Sequence, residues 1–145
     1  MHATPARPRI SARDLAVISV GGAGGAAARY AILRAEPVRA GTFPFSTFAI
    51  NVAGAFVLAV LLESVARRAI DAWWIRPFAA IGVLGGFTTF STMCTEAMLL
   101  GRGGHVATAA LYLVASGGAG VVVVIAGLRV SGLAPRTVPP DEGES

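Results

Sequence analysis

The chain has 145 residues, of which 54% are hydrophobic and 14% charged, and its mean hydropathy is positive. That excludes a disordered chain and points to a polytopic membrane protein rather than a soluble domain. The net charge of +4 comes with twelve basic residues, all arginine; they lie in short stretches between apolar runs, without a basic helix face, so membrane orientation explains them better than a nucleic-acid partner.

In chain order, residues 1–14 carry Arg7, Arg9, Arg13, Pro5 and Pro8 and read as an unstructured N-terminal tail. Leu15 to Leu33 is the first membrane span. Charge followed by an uncharged run and small residues also resembles a signal peptide, but the apolar run continues and further spans follow. Gly21 and Gly25 form a small-xxx-small pair that permits close helix approach. Arg29 and Tyr30 follow near the span end; Arg29 suits either an anion vestibule or a snorkelling helix terminus.

The loop Arg34 to Thr42 leads to a second span, Phe43 to Leu62, uncharged and long enough for the hydrocarbon layer. Its strongly polar residue is Asn51. An amide at that depth costs free energy unless hydrogen-bonded, so Asn51 either joins helices or serves a permeant species. The loop Glu63 to Arg76 ends in Trp73-Trp74, an interfacial anchor.

The third span runs from Pro77 to about Leu100, with proline in the first turn, where its missing N–H is harmless. Its middle, Gly85-Gly86-Phe87-Thr88-Thr89-Phe90-Ser91-Thr92-Met93, is a poor helix. Adjacent glycines weaken it, and the hydroxyl residues compete for backbone hydrogen bonds. An interrupted third helix is expected there, because non-helical backbone survives at that depth where it is buried or lines a cavity. A small-residue packing face is the plainer alternative. Phe90 and Met93 share a face; a phenyl edge is partly positive, though core packing also explains the pair. Glu96 is either a proton carrier or a carboxylate reaching water from the span end.

A five-residue loop, Gly101 to His105, forces an antiparallel return into the fourth span, Val106 to Leu128. Tyr112, Ser116 and Gly120 lie four apart on one face, either donating to an anion or forming a packing seam. Residues 129–145 hold three prolines and three acids and read as a disordered tail. The fold class expected is an all-α membrane protein of four transmembrane helices with both termini on one side. The two tails and the second loop carry eight arginines against three in the other loops, which predicts cytoplasmic termini. Cys94 is the one cysteine and forms no intrachain disulfide. No nucleophilic triad, metal-binding His/Cys cluster or phosphate loop appears, so nothing supports an enzyme.

Together, Gly21-Gly22-x-Gly24-Gly25-Ala26-x-x-Arg29-Tyr30, Gly41-Thr42, Asn51-Val52-x-Gly54-x-Phe56 and Gly85-Gly86-Phe87-Thr88-Thr89-Phe90-Ser91-Thr92 resemble the Fluc (CrcB) family of fluoride channels, over roughly residues 16–128. The resemblance implies a multi-pass cell-membrane protein forming an antiparallel dimer with two fluoride pathways. It also implies a structural sodium ion, not transported, held by backbone carbonyls of Gly85 and Thr88. Asn51 and Phe90 would touch fluoride, Tyr112 and Ser116 would belong to a polar track, and Arg29 and Glu96 would lie towards the vestibules. Met93 stands where the family generally has a second phenylalanine, and Gly120 where a hydroxyl often continues the track. The arginine bias leaves two partners open: a homodimer, or a heterodimer with a paralogous chain of opposite orientation. The function implied is passive fluoride efflux and fluoride resistance. The competing classes are a proton-coupled exporter, which would need an acid deep in the first span, and a non-transporting membrane assembly subunit.

Overall fold

The computed structural model describes residues 10–37, 39–67 and 72–132. The expectations for the tails therefore lie outside the described residues for 1–9 and 133–145. The described residues are all-helical, with no strand among them: α1 (Ala12–Ala35), α2 (Phe45–Ala66), a π-wound helix π1 (Arg76–Leu84), α3 (Gly85–Phe87), α4 (Phe90–Arg102) and α5 (Val106–Gly132). Four segments, Ala12–Ala35, Phe45–Ala66, Arg76–Arg102 and Val106–Gly132, are long and apolar enough to cross a membrane.

Two boundaries correct the tails. Ala12 to Asp14, expected in the N-terminal tail, form the first turn of α1. The Ser11 hydroxyl accepts from the Asp14 N–H at 3.1 Å, and the Asp14 carboxylate accepts from the Ser11 N–H at 3.0 Å. This reciprocal cap satisfies donors that the helix start would leave orphaned. Arg129 to Gly132, expected in the C-terminal tail, continue α5. Gly127 packs on α2, where a methyl at its Cα would lie 2.9 Å from Ala59 Cβ, and Ser131 in the last turn is buried.

α1 runs along π1 and α3, α2 along α5, and α4 against α5. The α1 contact is backbone on backbone. A methyl at Gly21 would lie 2.5 Å from the Phe78 carbonyl oxygen; one at Gly25 would overlap the Val83 carbonyl, and one at Gly86 the Gly22 carbonyl. Small residues allow such approach in hydrocarbon, where dispersion rather than water exclusion drives helix association.

The glycine pair is itself helical. Gly85 has φ −65° and ψ −35°, and its partner Gly86 serves the contact with α1. The residues with extended backbone are Thr88 (φ −77°, ψ 154°) and Thr89 (φ −149°, ψ 117°). The N-cap of α4 is Thr89, whose hydroxyl accepts from Thr92 N–H at 3.1 Å.

One buried cluster joins Ala97, Leu100, Ala109 and Tyr112, with Phe43, Phe48 and Met93 against it, and Ile50, Ala59, Ala80 and Leu84 are buried as well. The Phe43 ring meets Tyr112 edge-on at 5.2 Å. Large apolar side chains such as Phe45, Phe90 and Val114 remain exposed, as a surface facing lipid or another chain requires. Trp73 and Trp74 are about half exposed, and the Arg13 guanidinium sits 3.8 Å from the Trp73 ring.

Candidate functional site

Asn51 pairs with both backbone groups of the extended Thr89. Its Nδ2 donates to the Thr89 carbonyl at 2.9 Å, and its Oδ1 accepts from the Thr89 N–H at 2.8 Å. The amide thus replaces the helical partners of one residue at both ends. Buried backbone groups without partners would each cost about 1–3 kcal/mol. One hydrogen of the Asn51 NH₂ group remains beyond this pairing.

The same bonds release two carbonyls. In an unbroken helix Thr89 N–H would donate to Gly85 O and Thr92 N–H to Thr88 O. Here the first donates to Asn51 and the second to the Thr89 hydroxyl. The oxygens of Gly85 and Thr88 therefore lose their helical donors. Oxygen acceptors without donors suit a hard cation such as sodium, so these residues fit the ion that the resemblance implies. Among the described residues no cluster of three His, Cys, Asp or Glu side chains could hold a metal.

Beside the threonines lies a cavity of about 600 Å³, lined by Asn51, Thr89, Phe90, Met93, Ser116 and Gly120 among apolar side chains of α2 and α5. It brings together Asn51, Phe90, Met93 and Ser116 from three helices. Ser116 Oγ is buried and has no hydrogen-bond partner. A buried hydroxyl is normally satisfied, so Ser116 is an unpaired donor beside the cavity. Phe90, on the cavity wall, is 75% exposed.

Tyr112 is placed elsewhere. Fully buried, it donates to Glu96 Oε2 at 2.7 Å, while the Thr47 hydroxyl donates to Glu96 Oε1 at 2.8 Å. Both oxygens of this partly buried carboxylate are thereby held by hydroxyls of α2 and α5. Thr47 had no role in the sequence reading; its one signal is that it lies a turn before Asn51 on the same face of α2. Arg29, half-buried on α1, lies outside the cavity.

The family model described as CrcB-like protein, Camphor Resistance (CrcB), matches residues 16–128. The chain is 43% identical over 128 residues to a Streptomyces avermitilis protein named Fluoride-specific ion channel FluC 3, a match covering 88% of this chain and 63% of that longer relative. It is 41% identical over 120 residues to FluC 2 of the same organism, covering 77% of this chain and 73% of the relative. With the Fluoride-specific ion channel FluC of Agrobacterium fabrum it shares 39% identity over 118 residues, covering 81% and 94%.

Proposed function

This chain belongs to the CrcB-like family, a family of ion channels and not of enzymes, and from that membership we propose that it is a passive, fluoride-selective channel of the cell membrane. Hydrofluoric acid enters a cell as a neutral weak acid, dissociates and is trapped; a channel lets the membrane potential expel the anion. The observation that carries this reading is the unpaired Ser116 hydroxyl on the cavity that Asn51 and Phe90 share. A small, strongly hydrated anion needs donors to replace its water. Ser116 and the remaining N–H of Asn51 are such donors, and the Phe90 edge adds partial positive charge. Met93, polarizable and flexible, lines the wall beside it. Tyr112 joins the track through Glu96, and Arg29 and Glu96 lie towards its ends.

Two features support an assembly. Phe90 on the cavity wall is largely exposed, and a second copy would cover it. The two carbonyls of Gly85 and Thr88 are too few for a hard cation, and a second antiparallel chain would double them around one structural sodium. Sodium bound there would offset the partial negative charge of these carbonyl oxygens. That the relatives include two proteins of Streptomyces avermitilis keeps a heterodimer of paralogous chains as the second assembly.

Fluoride efflux measured with and without an imposed pH gradient tests the class: equal rates fit a channel, and a requirement for the gradient would favour a proton-coupled exporter. Ser116→Ala removes a hydroxyl without protein partners, so thermal stability should stay unchanged while fluoride flux falls about tenfold, the worth of one hydrogen bond to a charged group. Parallel losses in both would make Ser116 a packing residue. Replacing sodium by a large organic cation should abolish flux and lower the unfolding temperature of the assembly. No change in either would remove the ion from the proposal.

A further inference from the structure

A separate cavity of about 420 Å³ lies where the α1–α2 and α4–α5 loops meet. Arg39 and Gly41 line it from the first loop, Glu96 and Leu100 from α4, and His105 from the last loop. The backbone of His105 is fixed on both sides: its N–H donates to Leu100 O at 2.9 Å, and its carbonyl accepts from Ala109 N–H at 3.0 Å. Its ring lies against Gly41, where a methyl would come within 2.5 Å of Nε2 and 2.8 Å of Cε1. Gly41 also has φ +80°, a conformation that suits glycine. The two loops thus bring an imidazole, fixed against Gly41, and a guanidinium to the wall of one cavity. Glu96 lines the same cavity, with Thr47 and Tyr112 on its oxygens.

We propose that Arg39 and His105 form a capture site for a small hydrated anion in this cavity, and that protonation of His105 sets its strength. The inference rests on the channel reading above. The charged groups facing His105 across the cavity are Arg39 and Glu96; α2 presents Pro44 there, and α5 contributes Tyr112 behind Glu96. With the carboxylate ionised, Arg39 alone brings the cavity to neutrality. A protonated His105 makes it net positive. Histidine is the side chain whose charge changes between about pH 5 and 8, so acidification strengthens capture. One unit charge about 6 Å away in water changes anion occupancy roughly threefold, and salt screens the effect.

The test is fluoride efflux from liposomes at low ionic strength, at about pH 6 and about pH 8 on both sides, corrected for protein-free vesicles. Wild type should run roughly threefold faster at the lower pH, a ratio that high salt flattens. His105→Gln should run at the slow rate at both values, and His105→Lys at the fast rate at both. A merely structural His105 would not give opposite offsets for these two variants. A flat wild-type ratio, or a ratio that survives His105→Gln because Glu96 titrates instead, overturns the inference while leaving the channel reading intact. Absence of flux at both pH values overturns both.

Discussion

Asn51→Leu is expected to lower fluoride flux by roughly a hundredfold or more and to destabilise the third span. Leucine fills a similar volume but leaves both backbone groups of Thr89 unpaired. At about 1–3 kcal/mol for each, the loss is roughly 2–6 kcal/mol, enough to displace the two extended residues from their present geometry. It also removes the spare amide donor on the cavity wall. Asn51→Asp separates these effects: a carboxylate still accepts from Thr89 N–H but cannot donate to Thr89 O. Its unfolding midpoint should lie between those of wild type and Asn51→Leu, with flux as low as for leucine. Equal stability of all three proteins would show that Asn51 does not hold the backbone.

Gly25→Val is expected to prevent recovery of a monodisperse folded protein in detergent, whereas Gly24→Ala should behave as wild type. Even the first carbon of a side chain at Gly25 would overlap the Val83 carbonyl and lie 2.9 Å from Phe87 N. These neighbours are backbone atoms of π1 and α3, which cannot rotate away. Overpacking costs about 1–3 kcal/mol where side chains can adjust, and more is expected where only helix separation relieves the clash. Gly24 has no atom within 4 Å of an added methyl, so its effect should stay within about 0.5 kcal/mol. Thermal unfolding and size-exclusion profiles of the two variants make the comparison. A well-folded Gly25→Val protein would mean that α1 does not pack on the third span through its glycines.

Four membrane-length helices were legible because uncharged runs of that length have few other uses in a protein. The helix ends were not, because the Ser11 and Asp14 cap looks like tail sequence until both bonds are seen. Asn51 was legible as a problem, an amide at membrane depth, but its solution depends on Thr89, which is 38 residues away in sequence. Gly85 and Gly86 suggested weakness through conformational freedom, yet their backbone is helical, and Gly86 makes room for α1. On α5 the four-residue spacing put Tyr112 and Ser116 on one face, and packing then divided them. Tyr112 turns to Glu96, while Ser116 lies on the cavity wall with its hydroxyl oxygen buried and unpaired. Thr47 carried no sequence signal beyond its register with Asn51, since a threonine in a span is ordinarily helix glue.

The central claim is that the cavity of Asn51, Phe90 and Ser116 passes fluoride and rejects larger halides. The most direct measurement is efflux from liposomes reconstituted with the purified chain, loaded with potassium fluoride or potassium chloride, in sodium-containing buffer with a potassium ionophore and no pH gradient. Rapid fluoride release with chloride release at the level of protein-free vesicles is the predicted result. Equal release of the two anions, or no fluoride release, would contradict it.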